Sequence, residues 1–75
     1  MPLERNCELF LQRMGQKIRR LRNERQWTLE DTEEHGWPSW RHMQKLEAGK
    51  NITVATLWKV AKLYKVHPSK LLEEL

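Results

Sequence analysis

The segment at positions 38–50, PSWRHMQKLEAGK, contains several side chains that can contact the edges of nucleic-acid bases. Arg41 and Lys45 can donate hydrogen bonds to guanine O6 and N7, and Gln44 can bond to adenine N6 and N7. Trp40 adds an apolar surface beside them. On a helix, these four positions spread over the side opposite its thin apolar edge. The segment therefore predicts a short helix with a polar face suited to reading bases.

Two sets of signals predict that this helix is the second of a closely linked pair. Ser39 is a favoured N-cap and Gly49 a favoured stop, which gives a helix over 39–48. A shorter helix precedes it, capped by Thr28 with Asp31 near the capping-box position, and ends at Gly36. The apolar edge of the second helix consists of Met43 and Leu46. Two helices joined by a tight turn form a helix-turn-helix arrangement, and the second of such a pair can enter a major groove.

Three further helices are predicted, and no strand. The first spans 2–25, with one apolar face formed by Phe10, Met14, Ile18 and Leu21. Gly15 inside it leaves two interpretations open: the helix begins later, or another helix approaches closely there. The fourth helix spans 54–64, and the fifth begins near Pro68 and runs towards residue 75.

These elements predict an all-α fold, a compact five-helix bundle in a single domain covering residues 1–75. Residues 1–11 would extend helix 1, residues 28–48 would form the helix-turn-helix, and residues 64–75 would form a dimer surface. The apolar side chains from helix 4 onward exceed what one small core needs: Trp58, Tyr64, Val66, Leu71, Leu72 and Leu75. Trp27 and Trp37 are interpreted, like Trp58, as core or interface residues.

The charge is patterned along the chain. The 75 residues carry a net charge of +4, which indicates an anionic partner. Residues 1–25 and those after Gly36 have an excess of Lys and Arg, whereas residues 26–35 hold four acids and no base. Arg19, Arg20 and Arg25 are interpreted as solvent-exposed charge that adds to the general field.

Composition excludes several classes of function. Cys7 is the only cysteine, which favours a reducing cytoplasmic compartment. The three histidines lack zinc-site spacing, with His42 expected to be a packed or half-buried side chain. There is no Ser-His-Asp set, no phosphate-binding Gly-rich loop and no apolar run for a membrane span. We therefore expect no enzyme activity, no cofactor, no metal and no membrane partner.

Two stretches, IRRLRNERQWTLED at 18–31 and RHMQKLEAGKNITVATLWKVAKLYKVHPSKLL at 41–72, resemble the Cro/repressor (XRE) family of helix-turn-helix DNA-binding domains. The resemblance covers roughly residues 12–75, and its most specific part is LEAGK followed by NIT. Small restriction–modification controller proteins and short phage-type repressors have this length and plan. The resemblance implies a lambda-repressor-like fold that binds a palindromic operator as a homodimer.

The resemblance also implies roles for individual residues. Arg22 and Glu47 would form a structural pair that locks helix 1 onto helix 3. Phosphate contacts are implied for Thr28 and Ser39 at helix starts, and backbone contacts for the loop residues Lys50 and Asn51. The base-reading positions are Trp40, Arg41, Gln44 and Lys45.

Three departures from the family pattern lie in helix 2 and the turn. Leu29 replaces the usual Gln that contacts phosphate. Thr32 and Glu33 replace the usual Leu-Ala pair packed under the recognition helix, and Trp37 falls where the turn often has Gly. We expect Trp37 to fill the space that Thr32 leaves.

Two functions follow. The first is a sequence-specific regulator of transcription, such as a repressor, on double-stranded DNA; occupancy of its site would either block RNA polymerase or recruit it. The alternative is a protein-interaction module, antitoxin-like or a scaffold, that retains the fold without specific DNA binding. The acidic helix 2 and the missing anchor at Leu29 favour the alternative.

Overall fold

The computed structural model describes residues 3–73, with side chains from residue 6 onward. Four α-helices follow one another along the chain: α1 Leu3–Glu24, α2 Leu29–Glu34, α3 Trp40–Glu47 and α4 Val54–Tyr64. A 3₁₀ helix, Pro68–Leu72, comes last, and there is no strand within residues 3–73. The all-α class is therefore confirmed. The predicted fifth α-helix is instead a five-residue 3₁₀ helix, which ends where the backbone becomes extended at Glu73.

Side-chain caps begin the helices near the predicted positions. Thr28 and Asp31 form a reciprocal capping box at the start of α2, with bonds of 3.1 and 2.8 Å. The Thr53 hydroxyl accepts from the Thr56 backbone N–H at 3.0 Å at the start of α4. These oxygens satisfy N–H groups that have no partner within their own helix. The caps explain why the starts of these helices could be predicted closely.

Helix α1 is longer than the core that it covers. Met14, Ile18 and Leu21 are buried, but Phe10, predicted on the same apolar face, is 40% exposed. The other side chains of residues 6–10 are exposed as well. Its 22 residues span about 33 Å, which accounts for most of the 41 Å long axis of the molecule. The first turns of α1 therefore extend past the packed part of the protein.

Gly15 lies where α3 approaches α1. A Cβ atom added at Gly15 would come within 2.5 Å of the Glu47 carbonyl oxygen and 2.7 Å of that of Leu46. Because α1 begins at Leu3, the helix does not start after this glycine. The second interpretation of Gly15, close approach of another helix, is confirmed.

The core lies where α1, α3, α4 and the 3₁₀ helix meet. Helix α3 packs on α1 and α2, and the 3₁₀ helix packs on α4 and α1. The largest fully buried side chains are Tyr64, Ile18, Met43, Leu71, Val60 and Thr32. The Tyr64 hydroxyl donates to the Met43 sulfur at 3.8 Å, which joins α4 to α3 inside this core.

This core corrects the prediction of surplus apolar side chains from helix 4 onward. Tyr64 and Leu71 are fully buried, because the 3₁₀ helix folds back over α1 and α4. Val66 is partly buried, while Trp58 and Leu72 are 54% and 45% exposed. Leu75 lies outside the described residues. The chain's own core therefore uses two of the six residues assigned to a dimer surface.

No helix in the described part of the chain is both long enough and apolar enough to cross a membrane.

Candidate nucleic-acid interface

Helix α3 has an inward and an outward face. Met43 and Leu46 are buried, at 0% and 3% exposure, towards the helices that α3 packs against. Arg41, Gln44 and Lys45 are exposed on the remaining surface. Trp40 is half-buried at the first helical position. The four predicted base-reading residues thus share an accessible part of one eight-residue helix.

The C-terminal end of α3 is held by an ion pair. Arg22 donates to both carboxylate oxygens of Glu47, from Nε at 2.7 Å and from a terminal nitrogen at 2.9 Å. Its other terminal nitrogen donates to the Trp27 carbonyl at 2.8 Å. The two side chains are only 10% and 7% exposed. The hydrogen bonds that Arg22 donates to the Glu47 carboxylate raise the pKa of Arg22, so its positive charge is kept.

This pair fixes the direction in which α3 points. A bidentate Arg–carboxylate contact has a defined geometry as well as a favourable energy. It joins α3 to α1, and the third bond of Arg22 extends the link to the segment before α2. The structure brings together the two residues that the resemblance pairs.

The N-terminal end of α3 is closed by two oxygens of the chain itself. The Ser39 hydroxyl accepts from the His42 backbone N–H at 3.4 Å, as expected for a cap. The Glu33 carboxylate accepts from the Trp40 backbone N–H at 2.7 Å. The positive end of a helix favours a negative charge, and here Glu33 supplies it. A phosphate at the predicted Ser39 position would meet this carboxylate.

Glu33 is a residue whose role the sequence reasoning missed. In the sequence, Glu33 stands out only as a departure from the pattern of the family that the chain resembles, in a helix that also exposes Glu30 and Glu34. The available signal was its place seven residues before the first residue of α3, across a tight turn.

Thr28 and Leu29 occupy the start of α2. Thr28 is exposed, but its hydroxyl oxygen already accepts from the Asp31 backbone N–H. That hydroxyl retains its own proton as a donor for an external oxygen. Leu29 is partly buried and packs against the core rather than facing outward.

Lys50 and Asn51 lie in the loop between α3 and α4, and both are exposed. The Lys50 backbone N–H donates to the Lys45 carbonyl at 3.1 Å, which keeps the start of the loop close to the end of α3. The loop residues and the outward face of α3 can therefore contact one extended partner.

Aromatic rings line both sides of the turn between α2 and α3. The Arg41 guanidinium lies 5.4 Å from the centre of the Trp40 ring, within cation–π range. Trp37 is 6% exposed, and its ring stacks on that of His42 at 5.7 Å. His42 itself is exposed, so the expectation of a packed or half-buried side chain holds only for the ring face towards Trp37. Thr32 is fully buried, and its hydroxyl donates to the Leu29 carbonyl at 2.6 Å.

Arg25 is not the free surface charge that the sequence suggested. Its guanidinium donates to the Leu21 carbonyl at 2.8 Å and to the Tyr64 carbonyl, and lies 5.2 Å from the Tyr64 ring centre. These contacts tie the end of α1 to the end of α4. Arg19 and Arg20 are exposed.

Among the described residues, no three His, Cys, Asp or Glu side chains are grouped so that they could hold a metal ion. Cys7 is exposed on the first part of α1.

Comparison with known proteins adds no relative: no family model matches the chain, and no curated protein and no solved structure matches it significantly.

Proposed function

We propose that this chain is a sequence-specific regulator that binds double-stranded DNA, with α3 as the recognition helix of a helix-turn-helix of the Cro/repressor type. Two copies on a palindromic operator would place their α3 helices in successive major grooves, about 34 Å apart. The fold would then be the lambda-repressor-like bundle, with the 3₁₀ helix in place of its fifth helix.

The observation that carries the proposal is the division of α3 into two faces. One face is buried and clamped by the Arg22–Glu47 pair, so the helix has a fixed orientation. The other exposes Arg41, Gln44 and Lys45, the side-chain types that bond to guanine and adenine. A rigid helix with unpaired polar side chains suits base recognition because little ordering is needed on binding.

Phosphate contacts would set the affinity, and base contacts would set the sequence preference. Lys50 and Asn51 are available for the DNA backbone, since both are exposed beside the end of α3. The Thr28 hydroxyl can donate to a phosphate without leaving its cap. Trp40 offers an apolar surface for a thymine methyl group or a sugar.

The direct test is selection from a randomised duplex library with the purified protein, followed by sequencing of the bound DNA. We expect a two-fold symmetric motif with half-sites one helical turn apart. An asymmetric motif would keep DNA recognition and remove the symmetric dimer. No enrichment at low salt would contradict the proposal.

Two variants separate reading of bases from attraction to phosphates. Arg41→Ala should cost about 1–3 kcal/mol on the selected site and relax the preference at one base position. Lys50→Ala should weaken binding to all sequences alike and lower the salt slope by about one unit. Lys62→Ala on α4 is the matched control, and its DNA affinity should change little.

A protein-interaction module is the second candidate, and one contact favours it. The Glu33 carboxylate occupies the start of α3, where a phosphate would otherwise bind, within a helix that exposes further acids. Glu33→Gln separates the two functions, because it removes the charge that repels phosphate. If the protein recognises DNA, this variant should bind the selected site more tightly than the unmodified protein does. If it is an interaction module, neither the variant nor the unmodified protein should prefer any DNA sequence.

The homodimer is part of the same proposal. A domain of this size buries a smaller fraction of its surface on folding than a larger domain does, and association would stabilise it. Leu72 remains as the exposed apolar side chain of the C-terminal segment, while Val66 is partly buried against the core. Sedimentation of the free protein measures the association, and a monomer at high micromolar concentration would contradict it.

A further inference from the structure

A groove separates the turn after α2 from helix α4. Its volume is about 640 Å³, within the range of pockets that hold small ligands or short peptide segments. Four apolar side chains line it: Trp37 and Pro38 from the turn, and Trp58 and Leu63 from α4. None of the residues predicted to contact DNA is among them. The groove is therefore distinct from the outward face of α3.

Trp58 is the most prominent part of this groove. It is 54% exposed, which is unusual for a large aromatic side chain in a small protein. Trp37, which also lines the groove, is buried. The groove therefore has one indole held in the core, that of Trp37, and one accessible to a partner, that of Trp58. An exposed Trp beside a concavity is typical of an anchor point for a partner.

The rim of the groove carries only positive charge. Lys59, Lys62 and Lys65 line it, and no Asp or Glu of the described residues does. Lys62 Nζ lies 5.1 Å from the centre of the Trp58 ring, which holds one ammonium directly over the apolar wall. None of the three lysines is in an ion pair within the part of the chain that the structure describes.

We propose that this groove binds an acidic peptide segment of another protein, with one large apolar side chain seated between Trp37 and Trp58. The lysines would pair with carboxylates on either side of that anchor. Charge complementarity selects this occupant over a second copy of the chain. A two-fold contact centred on Trp58 would bring lysines of both copies together, which disfavours association.

The shape of the groove favours a peptide over single-stranded nucleic acid. Binding of single strands uses an open track with flat aromatic faces on which successive bases stack. Here Trp37 is only 6% exposed, so the groove offers one accessible indole, that of Trp58, and no row of aromatic faces.

In the test, a short synthetic peptide with Asp and Glu on both sides of a central Phe-Leu pair is added stepwise to the ¹⁵N-labelled full chain. Chemical shifts of the protein are recorded by NMR at each step. We expect the indole N–H signals of Trp58 and Trp37 to shift, while the backbone signals of Arg41 and Gln44 stay in place. A peptide with Lys in place of the acids should not bind, and neither should one with Gly in place of Phe-Leu.

Paired variants locate the binding. Lys59→Glu with Lys62→Glu should weaken the peptide affinity by about tenfold or more, because both rim charges are reversed. Trp58→Ala should weaken the peptide affinity by a similar factor. The variant should still fold, because Trp58 is exposed and is not part of the core. The control, Lys45→Glu with Lys50→Glu, makes the same charge change on the α3 side and should leave the affinity within about twofold.

Three results would overturn the proposal. Equal binding of the Gly-substituted peptide would reduce the interaction to charge alone. Displacement of the peptide from Trp58 by a short single-stranded oligonucleotide that binds more tightly would assign the groove to nucleic acid. Self-association that Trp58→Ala abolishes would assign it to a second copy of this chain.

Discussion

The inward and outward faces of α3 differ in the contacts that they make with the rest of the chain. On the inward face, Met43, Leu46 and Glu47 are fixed by burial, by an ion pair and by the close contact at Gly15. On the outward face, Arg41, Gln44 and Lys45 make no side-chain hydrogen bond or ion pair within the described residues. Only the inward face contributes to holding the fold together.

Substitutions on the inward face therefore report on folding, and substitutions on the outward face report on binding of a partner. Truncation of a buried, bonded side chain leaves its partner without compensation, and stability falls. Truncation of an exposed side chain that contacts nothing in the chain changes stability little. If α3 is a recognition helix, its two faces should therefore respond oppositely in stability and binding assays.

The largest effect is expected at Glu47. Glu47→Ala leaves the Arg22 guanidinium nearly buried with only the Trp27 carbonyl as a partner. We expect the free energy of unfolding to fall by about 3–5 kcal/mol, as for other buried pairs that lose one member. Urea denaturation followed by circular dichroism measures the loss. Glu47→Gln keeps the shape and one acceptor and should lose less; equal stability of all three chains would show that the pair does not hold α3.

Gly15→Ala is expected to have the next largest effect. The new methyl group would meet two backbone carbonyl oxygens of α3 at 2.5 and 2.7 Å, and backbone atoms cannot rotate away. Overpacking of this kind costs about 3 kcal/mol. Thermal unfolding measures it.

Gly36→Ala is the matched control for Gly15. Gly36 has φ +105°, but nothing lies within 4 Å of an added Cβ. Only backbone strain of about 1–2 kcal/mol is expected there. A larger loss at Gly36 than at Gly15 would contradict the close contact between α1 and α3.

Tyr64 makes the core sensitive to high pH. Burial raises the pKa of its hydroxyl from 10.0 to about 12. The folded chain thus keeps the proton where the unfolded chain has lost it. The contribution of the protonated Tyr64 hydroxyl to the free energy of unfolding is complete below pH 10 and is lost as the pH rises through about 12. The free energy of unfolding should fall by roughly 2–3 kcal/mol over this range. Denaturation at several alkaline pH values tests this, and Tyr64→Phe should lack that part of the pH dependence. An identical pH profile for the two chains would contradict it.

The smallest effect on stability is expected on the outward face. Arg41→Ala should change the free energy of unfolding by less than about 0.5 kcal/mol, since it loses only the contact with the Trp40 ring. The same variant should lose affinity for selected DNA. Chemical denaturation and DNA titration of one preparation check both values. A large loss of stability would show that the outward face also supports the fold.

Local signals explain how much of the fold could be predicted. Thr28, Ser39 and Thr53 set helix starts through bonds to backbone groups three residues away, and such bonds are readable in the sequence. The apolar spacing of Met14, Ile18 and Leu21 likewise identified the buried side of α1. The helical spacing of the C-terminal leucines predicts an α-helix, whereas the structure has a 3₁₀ helix that ends at the extended backbone of Glu73.

The residue types of the candidate site and their place on one helix could be predicted from the sequence, but only some of the contacts around them could. The exposed positions of α3 follow from the burial of Met43 and Leu46 on its other side. The bond from the Trp40 N–H to Glu33 could not be predicted, because it depends on the path of the turn between α2 and α3. The same holds for Arg25, whose acceptor at Tyr64 is 39 positions away.

The four α-helices, their caps and the patterned charge follow from the order of the amino acids, because each of them depends on neighbours within about four positions. The packing of the folded chain decided how those side chains are used. It placed Tyr64 and Leu71 in the core and left Trp58 exposed beside three lysines. The physical reason is that burial and charge pairing depend on which elements pack together, and that contact joins residues far apart in the chain.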